Sequence, residues 1–181
     1  MNSEDNRIII LCGQRGIGKS TVCRRITTVM RGNGVRCGGI ITYKSGDSAI
    51  IIEDVETEKS IILASVHPEY NGPRIGQYFF NPEGLEFGLT ALKNGSSRDL
   101  FFIDELGHLE TRGKGFAIAF DYLERPAFKH AIIVIREELL STLLTRFRNQ
   151  PRIIQVTQES RNSLAEYVVS LVSHPISHNQ V

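Results

Sequence analysis

With 181 residues, 41% hydrophobic and 23% charged, the chain has the length and composition of one water-soluble globular domain with a substantial core. A net charge of +1 excludes an overall field that would draw the protein to nucleic acid or to a membrane, and no apolar run approaches membrane-spanning length. The three cysteines, Cys12, Cys23 and Cys37, have neither metal-ligand nor C-x-x-C spacing; with the polar, acid-bearing start MNSEDNR, unlike a leader peptide, they predict a cytoplasmic protein with small buried thiols.

In chain order, Ile8 to Cys12 reads as a buried strand and Gly13 to Gly18 as a glycine-rich loop. A helix follows from Lys19 to about Arg31, ended by Gly32-Asn33-Gly34. Arg36 to Lys44 is a second strand whose Gly38-Gly39 predicts a bulge or a close approach by another backbone. Residues 46–80 read as a β-rich, antiparallel insertion with strands at Ala49–Val55, Ile61–Val66 and Ile75–Phe80, separated by Gly46-Asp47 and Asn71-Gly72-Pro73. Pro82 to Lys93 is a helix with proline near its first position. Asp99 to Ile103 is a short apolar strand ending in Asp104-Glu105. A helix over Gly113–Arg125, a strand over Ala131–Ile135, a helix over Glu137–Phe147, a strand over Ile153–Val156 and a helix over Ser160–Ser173 complete the pattern, before a frayed tail from His174 to Val181. Strands alternating with helices predict an α/β domain spanning 1–181, with a mostly parallel central sheet and helices on both faces. Ligands in such sheets sit at the carboxyl ends of the strands, where the loop, Asp104-Glu105, Arg136 and Thr157 fall.

The loop fits G-x-x-x-x-G-K-[ST] as Gly13, Gln14, Arg15, Gly16, Ile17, Gly18, Lys19 and Ser20, followed by Thr21. Backbone N–H groups turned inward, together with the positive end of the following helix, cradle a nucleotide's phosphates. Lys19 reaches the outer phosphates and Ser20 is a ligand for Mg²⁺. LFFIDE, Leu100 to Glu105, has the form of a Walker B strand: Asp104 serves the metal, and Glu105 accepts a proton from the attacking water or orients it. Adjacent Asp and Glu point to the division of P-loop proteins in which an extra strand separates the loop strand from the Walker B strand; Ala131–Ile135 is the candidate. Arg136 at its tip either senses the γ-phosphate or is a solvated charge opening a helix. The unfavourable dipole there mildly favours a purpose.

The motifs GQRGIGKST (13–21), GGIIT (38–42), RIGQY (74–78), IDELGHLE (103–110) and TQESRN (157–162) resemble the small nucleoside-triphosphatases that include the cancer-related nucleoside-triphosphatase and its bacterial and archaeal relatives. Asp104, Glu105, Gly107 and Glu110 fit the D-E-[IL]-G-x-[ML]-E pattern. The resemblance implies a three-layer, RecA-like P-loop core, a requirement for Mg²⁺, and hydrolysis of several nucleoside triphosphates with loose base preference. The compact segment after GGIIT lacks the family's arginine-rich hairpin, and IVIREE stands where the family has a histidine-containing stretch.

Base recognition is weakly encoded: no guanine-reading [NT]-K-x-D element follows the last strand, and Ser160 in TQES reads as a helix cap. Glu110 reads as favourable charge near a helix start and Arg74 as a solvated loop residue. Two other readings compete with a hydrolase acting on nucleoside triphosphates. One is a nucleoside or nucleotide kinase, with Arg146, Arg148 and Arg152 in a phosphate-covering lid. The other is a nucleotide-gated switch.

Overall fold

The computed structural model describes residues 7–148 and 150–173, together with the backbone but not the side chain of Glu105. The tail 174–181 and the start of MNSEDNR (residues 1–6) lie outside the described residues. The strands are β1 (Ile8–Gly13), β2 (Cys37–Ser45), β3 (Ala49–Asp54), β4 (Ser60–Ser65), β5 (Arg74–Ile75), β6 (Tyr78–Phe80), β7 (Leu100–Leu106), β8 (His130–Arg136) and β9 (Arg152–Gln155). The helices are α1 (Lys19–Gly32), α2 (Pro82–Gly95), α3 (Ala119–Glu124), α4 (Leu140–Leu144) and α5 (Leu164–Ser173). All nine strands form one sheet in the order β5-β6-β4-β3-β2-β7-β8-β1-β9.

The sheet has two halves. From β2 to β9 every pairing is parallel, whereas from β2 to β5 every pairing is antiparallel. Strand β8 separates the loop strand β1 from β7, as expected from the adjacent Asp and Glu. Alternation along the central strands sends side chains to two cores. Ile9, Leu11, Phe102, Ile132 and Val134 pack under α1 and α5. Ile10, Phe101, Ile103, Ile133 and Ile135 pack against α2, α3 and α4. The result is three layers, with the central strands β1, β7 and β8 buried on both faces.

The paired glycines of β2 mark a close approach. A Cβ on Gly95, at the end of α2, would lie 2.0 Å from the Gly39 nitrogen, and one on Gly39 would lie 2.0 Å from the Phe102 carbonyl oxygen. Only glycine lets this helix end rest on the strand backbone. Helix α2 therefore continues through Asn94-Gly95 instead of ending before them; at its other end the Asn81 side chain accepts the Glu83 N–H and Pro82 opens the first turn.

Several elements differ from expectation. The run Ile75–Phe80, expected as one strand, is a tight hairpin turning at Gly76-Gln77. The helix expected over Gly113–Arg125 is only α3: Gly113 and Gly115 take left-handed φ values of 70° and 60° and hold the preceding segment in turns. The helix expected over Glu137–Phe147 is a 3-10 turn at Glu137–Leu139 followed by the short α4; the Thr145 hydroxyl donates to the Thr142 carbonyl, the kind of local bond that competes with helix propagation. Helix α5 starts at Leu164, not Ser160. Ser160 and Thr157 instead bond each other reciprocally, Thr157 N–H to Ser160 Oγ at 3.0 Å and Ser160 N–H to Thr157 Oγ1 at 3.2 Å, which fixes a turn before the helix. The three cysteines are buried and free.

Candidate functional site

The glycine-rich loop leaves β1 at Gly13 and enters α1 at Lys19, with Gly18 at the helix N-cap in a left-handed conformation. It opens on a cleft of about 330 Å³ at the carboxyl ends of the parallel strands. Arg15, Gly16, Gly18, Lys19, Ser20 and Thr21 line it from the loop and helix. Asp104 and Arg136 line it from the tips of β7 and β8. Gly13, Gln14 and Ile17 do not face the cleft: the first two present carbonyls to Lys19, and Ile17 packs into the core under α1.

Lys19 curls back over the loop, its Nζ donating to the Gly13 and Gln14 carbonyls at 2.7 Å each. Burial lowers its pKa, and the nearby Asp104 carboxylate opposes that shift. Asp104 is 1% exposed, and burial raises its carboxyl to about 6; Ser20, the Thr42 N–H and Lys19 hold it from rising further. Its Oδ2 accepts the Thr42 N–H at 3.1 Å. Its Oδ1 is buried and has no hydrogen-bond partner among the described residues. An unsatisfied buried carboxylate oxygen beside a serine hydroxyl is a hard-oxygen donor set suited to a divalent cation. No cluster of three or more His, Cys, Asp or Glu able to hold a metal occurs among the described residues.

The ladder between β7 and β8 shifts register between Ile103 and Leu106, so the strand bulges where it carries Asp104-Glu105. Glu105, the expected general base, belongs to β7 by its backbone; its side chain lies outside the described residues. Arg136 ends β8 in register with Gly13 of the loop. Burial is the main cause that lowers its pKa, with Arg15 adding to the effect, while Glu138 and Tyr78 oppose it. It is thus a half-buried cation at the cleft wall, and it also stands at the N-cap of the 3-10 turn Glu137–Leu139.

Other candidates resolve differently. Glu110 is a buried brace: its two carboxylate oxygens accept the Gly107 N–H at 2.7 Å and the Phe116 N–H at 2.8 Å, tying the loop after β7 together. Arg74 donates to the Gly76 carbonyl and lies over the Phe79 ring, serving the hairpin. Arg146 and Arg148 flank Arg7 and Ile8 at the start of β1, and Arg152 begins β9, so these arginines stand at the opposite end of the sheet from the loop and form no lid over it. Thr42, whose N–H meets Asp104, and Arg161, whose side chain lies near Gly18, belong to the motifs GGIIT and TQESRN, but the sequence assigned neither a role. The signal for Thr42 was its place at the carboxyl end of β2, one strand from β7.

An α/β sheet carrying a phosphate loop, an acid-tipped neighbouring strand and a strand between them defines a P-loop nucleoside-triphosphatase. The NTPase family profile matches residues 8–169, and the chain belongs to that family. It is 32% identical to the nucleoside-triphosphatase THEP1 of Methanosarcina barkeri over 162 residues, covering 86% of this chain and 91% of the relative. It is 31% identical to the THEP1 of Methanosarcina acetivorans over 168 residues, covering 90% and 94%. Among solved structures, the fold matches a human cancer-related nucleoside triphosphatase with a TM-score of 0.73 at 23% identity, covering 96% of this chain and all of that one. It matches THEP1 of Aquifex aeolicus with a TM-score of 0.72 at 22% identity, covering 92% and 99%. The protein is a nucleoside-triphosphate phosphohydrolase. No helix among the described residues is long and apolar enough to cross a membrane.

Proposed function

We propose that the protein hydrolyses ATP, GTP and related triphosphates as their Mg²⁺ complexes, in the cytoplasm, with loose preference for the base. The observation that carries this reading is the buried Asp104 carboxylate with an unpartnered Oδ1 beside Ser20. Mg²⁺ held by Ser20 and Asp104 would neutralise charge on the outer phosphates. The loop N–H groups and the start of α1 bind the phosphates. Lys19 exchanges its two carbonyl partners for phosphate oxygens. Glu105 takes a proton from water as the water oxygen bonds to the γ-phosphorus; the bond from that phosphorus to the bridging oxygen breaks, and the nucleoside diphosphate leaves with the electron pair. Arg136 offsets charge on the moving phosphoryl group. The absence of a guanine-reading element leaves most affinity to the phosphates, while Arg161 beside Gly18 offers a planar cation that any base could stack on.

The experiment is a Mg²⁺ and nucleotide titration of two variants. Glu105→Gln should keep nucleotide binding and slow phosphate release about a hundredfold or more. Asp104→Asn should instead shift the Mg²⁺ dependence upward. ATP and GTP should differ by less than about tenfold in kcat/KM, about 1.4 kcal/mol. A parental rate in Glu105→Gln would refute the base assignment, and a hundredfold preference for one purine would refute loose specificity.

A further inference from the structure

A second cavity, of about 440 Å³, adjoins the phosphate cleft. The two share a wall made by Arg15, Thr42, Ile50 and Arg136. The hairpin β5-β6 and the loop after β7 close the far side. Its lining is of two kinds. Leu63, Ile75, Phe80, Leu109 and Phe116 supply apolar and aromatic surface, whereas Gln77 and His108 can hydrogen-bond the edge of a heterocycle. Tyr78, which also lines it, is 6% exposed, and its hydroxyl has no hydrogen-bond partner among the described residues. A buried phenol is left unbonded at a cost of about 1–3 kcal/mol, so an unsatisfied one beside a cavity is an observation that points to a ligand.

We infer that this cavity seats a phosphoryl acceptor of nucleoside class: a heterocyclic ring held among the apolar and aromatic residues, with a nucleophilic oxygen at the shared wall. The inference rests on the reading that the triphosphate occupies the adjoining cleft. A molecule there borders the phosphate cleft across the wall that Arg15 of the loop and Arg136 of β8 share between the two cavities. The step has the form of the hydrolytic one with water replaced. The acceptor oxygen forms a bond to the γ-phosphorus, the bond from that phosphorus to the bridging oxygen breaks, and the nucleoside diphosphate leaves with the electron pair. When the nucleophile is a hydroxyl its proton passes to the base that would otherwise serve water; a phosphate oxygen carries none to lose. Hydrolysis is then the outcome when the cavity holds water. The antiparallel wing, which takes no part in holding the loop, acquires the task of choosing the acceptor.

The test incubates the full chain with Mg²⁺, γ-labelled ATP and, separately, each of the four ribonucleosides and each of their 5′-monophosphates, and resolves labelled phosphate from labelled transfer product, an ester when a hydroxyl is the nucleophile and an anhydride when a phosphate is. Transfer to at least one acceptor is expected, with the two products distinguishing a hydroxyl from a phosphate nucleophile. Ile75→Trp, which fills the cavity from the hairpin, should lower transfer at least tenfold and leave phosphate release within twofold. Tyr78→Phe, a change too small to endanger folding, should raise the KM for the acceptor at least fivefold with phosphate release again unchanged. Phosphate release without any transfer product, whether or not the probe binds, overturns the acceptor assignment and leaves hydrolysis standing. Absence of both products overturns the two readings together. Transfer indifferent to both variants places the acceptor elsewhere and overturns the cavity as its seat.

Discussion

The parallel and antiparallel halves of one sheet are built by different rules. In the parallel half, β1, β7 and β8 are buried on both faces, and a backbone loop and two strand tips bring the charged phosphate-cleft residues together, with β2 and Ile50 of β3 completing the wall. In the antiparallel half, β5 and β6 are two- and three-residue strands, and what they contribute is side chains over a cavity. The first half therefore fixes charge and metal chemistry, which tolerates little variation in position. The second shapes a container whose contents the phosphate chemistry does not dictate. A fold divided this way can keep one reaction and change what stands next to it.

The sharpest way to break the division is at Lys19. Lys19→Ala removes the cation from the phosphate cleft and leaves its two hydrogen-bond partners, the carbonyls of buried Gly13 and exposed Gln14, without it. Turnover should fall about a thousandfold, about 4 kcal/mol of transition-state stabilisation. Urea-derived stability should fall by no more than about 2 kcal/mol, the cost of one buried carbonyl left unpaired, so the variant stays folded. Parental phosphate release in a folded Lys19→Ala protein would remove the loop from the chemistry.

Gly95→Ala tests how the halves are joined. Helix α2 packs against β2, β3 and β4, and Gly95 is where it meets β2, the strand common to both halves. Alanine is the better helix former by about 1 kcal/mol. The added Cβ, however, would lie 2.0 Å from the Gly39 nitrogen and 2.6 Å from the Gly38 carbonyl carbon, backbone atoms that cannot rotate away. Overpacking should win, with a net loss of about 3 kcal/mol in urea-derived stability. A stabilised Gly95→Ala would show that α2 is free to lift off the sheet.

The halves also differ in how much the sequence disclosed. The loop, α1 and the acid-tipped strand were legible because each is a short local pattern with one physical meaning: an apolar run, glycines, then Lys-Ser. Placing β8 between β1 and β7 followed from the Asp104-Glu105 pair. The wing was legible only as strands. Ile75–Phe80 has no proline or Asn-Gly to announce that it turns at Gly76, and the pairing of β4 with β6 is set by contacts between segments far apart in sequence. Gly38-Gly39 announced a close approach but not that Gly95 makes it. Tyr78 and Thr42 close the motifs RIGQY and GGIIT, but the motifs gave them no role, because a lone phenol or a backbone N–H acquires meaning only beside a cavity or a carboxylate.

Asp104 supplies a prediction that the metal reverses. Its carboxyl is raised to about 6 by burial, against about 3.9 in an unfolded chain. The folded state therefore binds this proton more tightly, so the group's contribution is fully present below about pH 4 and is lost as pH rises through 6. With divalent cations chelated, the parent should lose up to about 3 kcal/mol of stability across that window relative to Asp104→Asn, in which the buried charge is absent. Added Mg²⁺ should restore stability to the parent at pH 7 and not to the variant. Parallel stability–pH curves for the two proteins would mean that the carboxylate is solvated, and the case for a metal at Oδ1 would go with it.

The smallest expected effect sits on the boundary between the halves, at Glu110. Its oxygens accept N–H groups from Gly107, directly after β7, and from Phe116, which packs among the residues under α2 and α3. Both backbone ends of the loop that closes the cavity are thus held by one buried carboxylate. Burial raises its pKa while the N–H donors from Phe116 and Gly107 oppose the shift, with a smaller electrostatic contribution from His108, so the charged form is held mainly by hydrogen bonds. Glu110→Gln retains one acceptor and turns the other position into an amide donor facing an N–H. One backbone donor is then left unsatisfied, at a cost of about 2 kcal/mol. The loop lines the second cavity and not the phosphate cleft. Phosphate release from ATP should therefore change less than twofold while urea stability falls and amide exchange at Gly107 and Phe116 accelerates. A large loss of hydrolysis at unchanged stability would instead make Glu110 part of the phosphate site, and the line drawn between the halves would have to move to include the loop after β7.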